Sequence, residues 1–186
     1  MQLRYNYRVY PTPSQRGALA QAFGCARVVF NDCIRLRRTS HAAGVKISDT
    51  DVQKRVVTVA KATPERAWLS EVSSVVLVQA CQDARVAYRN FFDSLSGKRK
   101  GRELGAPRFR SRKNNRQAIR LTRNGFSLRP NGALYAAKIG ELKVAWSREL
   151  PSQPSSVSII KDAAGRYFAS FCPKSLRSSS SQLAVE

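Results

Sequence analysis

Alternation opens the chain. Leu3, Tyr5, Tyr7 and Val9 fall on one side and Arg4, Asn6, Arg8 and Tyr10 on the other, a period of two that predicts a half-buried strand with a basic outer face. Pro11 ends it, and Thr12-Pro13-Ser14-Gln15 reads as a capping box with proline at the first helical position. Leu19, Ala22, Phe23, Ala26, Val29, Phe30, Cys33 and Ile34 then recur at helical spacing. Gly24 is placed to divide this stretch into two helices with a tight joint. Arg35, Arg37 and Arg38 would sit in its last turn, where cations complement the helix dipole. After a loop holding His41 and Gly44, Ser48-Asp49-Thr50-Asp51 starts another helix, with Val52, Val56 and Ala60 as its apolar positions, and Pro64 closes that region. The clearest helix is predicted over 73–94, where Leu77, Ala80, Cys81, Ala84, Ala87, Tyr88 and Phe91 form one stripe.

Beyond residue 96 the pattern changes to short β signals. Strands are predicted at 118–122, 126–129 and 134–136, with Asn131-Gly132 as a hairpin turn. Leu142, Val144 and Trp146 alternate with charged or small residues, and a last hairpin joins 157–161 to 166–172 across Asp162-Ala163-Ala164-Gly165. The C-terminal half is therefore a small β-barrel or sheet. If the opening strand pairs into it, the helices form an insertion within a β domain, and the fold class is α+β. A low-complexity, Ser-rich stretch over 173–186 reads as a disordered tail.

Charge sharpens this picture. The 186 residues carry a formal net charge of +21 and a pI near 10.9, which favours a polyanionic partner, nucleic acid before membrane. A hydrophobic content of 42% is too high for a disordered basic tail. No stretch approaches the roughly 20 apolar residues of a spanning helix, and the N-terminus has no signal-peptide h-region. Eleven Lys and Arg and one acid, Glu103, fall within 98–123. Gly97, Gly101, Gly105 and Pro107 keep that run from being helical, so its cations are strung on an extended loop leading into a strand. Arg108-Phe109-Arg110-Ser111-Arg112-Lys113 interleaves an aromatic ring with guanidinium groups, which suits phosphate forks and base stacking. The bland alternative is a solvated charge run; the near absence of acids and the excess of Arg over Lys favour a nucleic-acid track. Its candidate contacts are Arg4, Lys98, Arg99, Lys100, Arg102, Arg108, Phe109, Arg110, Arg112, Lys113, Arg116 and Arg120.

Catalytic chemistry finds little footing. Metal-dependent phosphodiester cleavage needs several carboxylates converging on cations, and the acids here are scattered or belong to caps and turns. His41 is the single histidine, with no G-x-S-x-G elbow near it, and no phosphate-cradling P-loop is present. Cys25, Cys33, Cys81 and Cys172 include no C-x-x-C pair, so they read as small buried hydrophobes rather than metal ligands. No metal and no cofactor is expected. The segment 14–38 also admits a helix-turn-helix reading, with an ordinary helical hairpin as its equal alternative.

Several stretches stand out together: the opening Tyr-x-x-Arg-Val-Tyr-Pro-Thr-Pro-Ser-Gln, Phe23-Gly24-Cys25-Ala26-Arg27-Val28-Val29-Phe30-Asn31, Trp68-Leu69-Ser70-Glu71-Val72, Ala87-Tyr88-Arg89-Asn90-Phe91-Phe92, Gly105-Ala106-Pro107-Arg108-Phe109-Arg110 and Gly165-Arg166-Tyr167-Phe168-Ala169-Ser170-Phe171. With these motifs the chain resembles the TnpB/OrfB insertion-sequence proteins. The resemblance is collinear over 1–172. It implies a split β-barrel (wedge, OB-like) made of a first strand, 1–12, and a β part, 96–172, interrupted by a helical recognition module, 13–95. It further implies structured RNA from the transposon locus and duplex DNA as partners, with a full-length relative or a second copy as further candidates and no membrane. A bacterial cytoplasmic, nucleoid-associated location follows. Residues resembling the family's contacts to a short DNA motif are Thr50, Lys54, Ser74, Val75, Val78, Gln79 and Thr122. Val78 stands where relatives often carry the first of two glutamines, and valine cannot make a bidentate base contact. Full-length relatives are RNA-guided endonucleases that continue into a RuvC-like nuclease and a zinc ribbon. This chain leaves the pattern after Cys172, so the expectation is a truncated, catalytically inactive, nucleic-acid-binding protein. A stand-alone helix-turn-helix regulator and a decayed remnant are the alternatives.

Overall fold

The computed structural model describes residues 4–173, so Leu3 and the Ser-rich segment lie outside the described residues. Strand β1 is Tyr5–Tyr10, with Tyr7 and Val9 buried as the alternation predicts. The predicted capping box is present at the next step. Thr12 Oγ1 accepts the Gln15 N–H at 3.3 Å, Gln15 Oε1 accepts the Thr12 N–H at 3.0 Å, and Pro13 opens the helix.

Helix α1 then runs unbroken from Pro13 to Ala42. The joint expected at Gly24 is absent. A single glycine costs a helix interior only about 1 kcal/mol relative to alanine, and the flanking Phe23, Cys25 and Ala26 are all buried, so packing on both sides carries the helix through. Two expectations change with it. Arg35, Arg37 and Arg38 lie before the last turn rather than in it, and His41 is the basic residue there. The turn of the helical module falls at 43–48, where Gly44 takes a φ of 68° that only glycine adopts freely.

Helix α2, Asp49–Gln53, starts under a Ser48 cap and passes into a π-helical turn, Lys54–Val59, and a 3-10 turn, Ala60–Ala62. A second 3-10 turn, Ala67–Glu71, leads to α3, Ser74–Leu95, close to the predicted span. Helices α1 and α3 pack against each other. Cys33 and Cys81 meet at that contact, both buried and both free thiols. A hydrogen bond between them and burial raise the Cys33 pKa, while burial, with the Glu71 carboxylate adding to it, lifts Cys25 to about 11. Cys25 and Cys33 therefore stay protonated and act as small core side chains.

The remaining strands are β2 Gln117–Thr122, β3 Phe126–Leu128, β4 Leu134–Ala136, β5 Gly140–Ala145, β6 Pro154–Lys161 and β7 Tyr167–Pro173. All paired neighbours are antiparallel, in the order β2-β6-β7-β1-β5-β4-β3. The opening strand does pair into this sheet, and near its middle: Val9 faces Tyr167 of β7 on one side and Val144 of β5 on the other. The two end strands, β2 and β3, are consecutive in the chain, and the turn between them is closed by the Gly125 N–H bonding to Thr122 O at 2.8 Å. The sheet is therefore curled into a nearly closed barrel-like form, and the helices between β1 and β2 pack on it through α3 and β2. A Cβ at Gly125 would meet Leu121 and Val75 at 3.1 Å, so the residue without a side chain lets α3 approach the β2–β3 turn.

One core group is at odds with its surroundings. Tyr7 packs against Trp146 and Phe171, with ring centroids 4.7 and 5.8 Å away, yet its buried hydroxyl has no hydrogen-bond partner. An unsatisfied buried polar group costs about 1–3 kcal/mol. Tyr7→Phe is therefore expected to leave the fold intact and raise its unfolding free energy, read as a higher denaturation midpoint in urea; a lower midpoint would contradict this account.

Candidate nucleic-acid interface

The basic run crosses the surface as an extended strap between α3 and β2, with no regular structure from Ser96 to Arg116. Its glycines work as the sequence suggests: Gly97 and Gly101 take positive φ values of 69° and 105°. The strap is nevertheless held. Asn31 on α1 makes a reciprocal pair with the Arg110 backbone, accepting its N–H at 2.8 Å and donating to its carbonyl at 3.1 Å. Arg38 donates to Pro107 O at 2.6 Å while its guanidinium stacks 5.0 Å from the centre of the Phe109 ring. Arg110 turns inward, with its guanidinium 3.8 Å from the centre of the Phe30 ring and 3.1 Å from Asp83 on α3.

Magnitudes decide what does the holding. Both partners of the Arg110–Asp83 pair are about 40% exposed, so the pair contributes at most about 1 kcal/mol. The two Asn31 bonds contribute about 1 kcal/mol each, and the Phe30 stack about 0.5–2 kcal/mol. The Asn31 bonds and the Phe30 stack together thus outweigh the ion pair.

The predicted strap residues divide accordingly. Arg110 is occupied by the clamp, and Phe109 lies half-exposed under Arg38. Lys98, Arg99, Lys100, Arg102, Arg108, Arg112, Lys113 and Arg116 are exposed, and their side-chain cations have no ion pair among the described residues. Arg120 projects from the solvent face of β2, between buried Ile119 and Leu121. Arg4, also exposed, precedes β1 and stands apart from the strap in sequence.

A second set lies on the helical side. Lys61 donates to Ser74 Oγ at 2.8 Å, and Arg85 pairs with Asp49 at 2.8 Å. The segment from α2 through the π-helical turn therefore runs antiparallel along α3, which brings exposed Thr50 and Lys54 alongside that helix. Val75 packs at Gly125, three residues beyond Thr122. This places Ser74 and Val75 next to the β2–β3 turn, with Val78 and Gln79 half-exposed one turn further on.

Sequence reasoning missed Arg27, Asn31 and Arg38 as strap-facing residues. Their spacing of four and seven puts them on one face of a continuous α1, a signal hidden by the assumed break at Gly24. Asp83 carried no signal until its partner on the strap was known.

Among the described residues no group of three His, Cys, Asp or Glu side chains could hold a metal ion, and no helix is long and apolar enough to cross a membrane. Several acids pair with arginines instead. Asp32 pairs with Arg66 at 3.0 Å and Arg35 at 3.6 Å; Asp49 pairs with Arg37 and Arg85; Glu141 pairs with Arg129 at 3.1 Å and Asp162 with Arg166 at 2.8 Å.

If neutral contacts hold the strap, Asn31→Ala is expected to raise hydrogen exchange across 107–113 more than Asp83→Ala does, with the gap persisting in molar salt. Equal effects would show the ion pair to be the stronger anchor.

Known proteins fit these features. A family model described as a helix-turn-helix domain, from the OrfB group of IS605 elements, matches residues 1–46. That span takes in β1, all of α1 and the first part of the turn after it. A protein of Streptomyces pristinaespiralis, provisionally named an RNA-guided DNA endonuclease, is 38% identical over 169 residues. The match covers 89% of this chain and 40% of that protein, so the chain spans well under half the length of this relative. A Salmonella dublin protein named virulence protein VsdF is 30% identical over 92 residues, covering 46% of this chain and 77% of its own length. The opening motif, the helical module and the collinear match through most of the chain converge on one conclusion: the chain belongs to the TnpB/OrfB insertion-sequence family.

Proposed function

We propose that this chain grips nucleic acid for a TnpB-like system and does not itself cut it. In this reading the barrel-like sheet is a wedge domain split by the helical module, and the exposed strap cations neutralise the backbone of a structured RNA from the transposon locus. The face formed by Thr50, Lys54, Ser74, Val75, Val78, Gln79 and Thr122 meets duplex DNA. The observation that carries the proposal is the strap itself: a run of exposed cations held on α1 mainly by the Asn31 bonds and the Arg38 bond to the Pro107 carbonyl, so that phosphate binding by the exposed cations need not compete with the contacts that hold it in place. The similarity to an RNA-guided DNA endonuclease supports RNA and DNA as partners. The absence of cleavage is supported by the described acids, which are scattered rather than gathered as metal-dependent hydrolysis requires.

Binding through phosphates releases counterions, so affinity falls steeply with salt, with a slope near −0.9 per contact on duplex DNA and about −0.7 on single strands. Replacing Arg108, Arg112, Lys113 and Arg116 together by Ala is expected to lower RNA affinity by orders of magnitude at low salt and flatten the salt slope by about three units. Filter binding across a salt series reads both quantities, and an unchanged slope would remove the strap from the interface. A preference for sequence-defined duplex over RNA at equal salt would favour a stand-alone regulator instead.

On the helical face only Gln79 of the adjacent pair can make a bidentate contact to a base, because Val78 has no donor or acceptor. Gln79→Ala is expected to cost about 1–3 kcal/mol in discrimination between duplex sequences while leaving RNA affinity unchanged. Undiminished discrimination in a competition assay would exclude that residue from base readout.

A further inference from the structure

Where the strap turns over the α1–α3 junction it walls off a cleft of about 390 Å3, within the roughly 300–1,000 Å3 range of small-molecule sites. Phe23 and Ala26 on α1, both buried, contribute its apolar wall, and Arg27 lines it from the same helix. Asp83 comes from α3, and Arg110, Asn114 and Arg116 come from the strap. Three guanidiniums thus face one carboxylate, and Asp83 is already engaged by Arg110. Arg27 is half-buried, and neither it nor Arg116 has a side-chain hydrogen bond or ion pair among the described residues. A half-buried guanidinium without an acceptor is poorly solvated and strongly disposed to take an anion.

The strap side of the cleft is already shaped. Ser111 Oγ accepts the Lys113 N–H at 3.1 Å, and Asn114 Oδ1 accepts the Arg116 N–H at 3.1 Å. This fixes the turn that carries both residues. The Asn114 amide NH2 and the Gln117 carboxamide, which also line the cleft, have no hydrogen-bond partner among the described residues and can bond to the polar edge of a ring. Cations for a phosphate, carboxamides for a base edge and an aromatic wall in one concavity match a nucleotide better than a bare oxyanion or a regular helix, whose stacked bases could not enter.

We propose that this cleft binds a single nucleotide swung out of its stack, with its phosphate on Arg27 and Arg116. The site gives the protein a fixed point of register on an RNA that the strap otherwise holds without regard to sequence. The inference rests on the nucleic-acid reading above but makes a separate demand, because a purely electrostatic strap needs no pocket.

The test uses the full chain with each of the four nucleoside 5′-monophosphates, inorganic phosphate and a mixed-sequence single-stranded RNA as probes. At least one nucleotide is expected to shift the backbone amide resonances of Ala26, Arg27 and Arg116 and to bind about tenfold more tightly than phosphate. Arg116→Gln, at an exposed position, and the Arg27→Ala, Arg116→Ala double variant are expected to lose that binding. Arg108→Ala with Arg112→Ala, which removes the same charge from outside the cleft, is expected to keep it. Phosphate binding as tightly as every nucleotide, or equal losses in the two double variants, would overturn the pocket. No RNA binding by the unsubstituted chain at low salt, while a nucleotide still shifts the cleft resonances, would instead contradict the interface reading and leave the pocket standing.

Discussion

The structure depends on where β1 sits. Its six residues bond to β7 on one side and β5 on the other, so strands from near opposite ends of the described chain must be in place before this part of the sheet exists. That pairing fixes the point from which α1 departs. Everything placed by α1, including the contact with α3 and the seat of the strap, inherits its position from backbone hydrogen bonds made over long sequence separation. Such pairing is slow to form because loop closure precedes its reward, but once made it pairs Arg8 and Val9 of β1 on both sides.

From that anchor the helices and the strap form a sorted electrostatic system. With 33 Lys and Arg against 12 Asp and Glu, most cations cannot be paired. Some of the described acids pair with arginines that tie elements together: Asp49 joins α1 to α3 through Arg37 and Arg85, and Asp83 joins α3 to the strap through Arg110. Part of the surplus lies on the strap, where glycines and Pro107 prevent a helix from forming. A partner that supplies negative charge then relieves repulsion within the folded chain as well as gaining contacts, so binding and stability are coupled.

Much of the fold was legible because local chemistry and tertiary packing agree. The capping box at Thr12 to Gln15, the α3 stripe and the β6–β7 hairpin across Asp162 to Gly165 each satisfy a local rule and bury the residues that rule selects. Gly24 misled because its local preference is worth little against the buried surface on either side of it. The strap's composition was visible, but the inward turn of Arg110 was not, since nothing in an Arg-rich run distinguishes the side chain that will meet Phe30 and Asp83 from those that will meet solvent.

The sequence by itself determined the element types, the antiparallel hairpins, the site of the cationic run and the membership in a nucleic-acid-handling family, because these follow from periodicity, turn residues, charge and shared motifs along the chain. Only the tertiary structure decided which cations are spent and which are free, that Arg27, Asn31 and Arg38 share a working face, and that a cleft opens beneath the strap. Those outcomes rest on distances between residues tens of positions apart, such as Asn31 and Arg110, and such distances exist only after the sheet has brought α1 and the strap together.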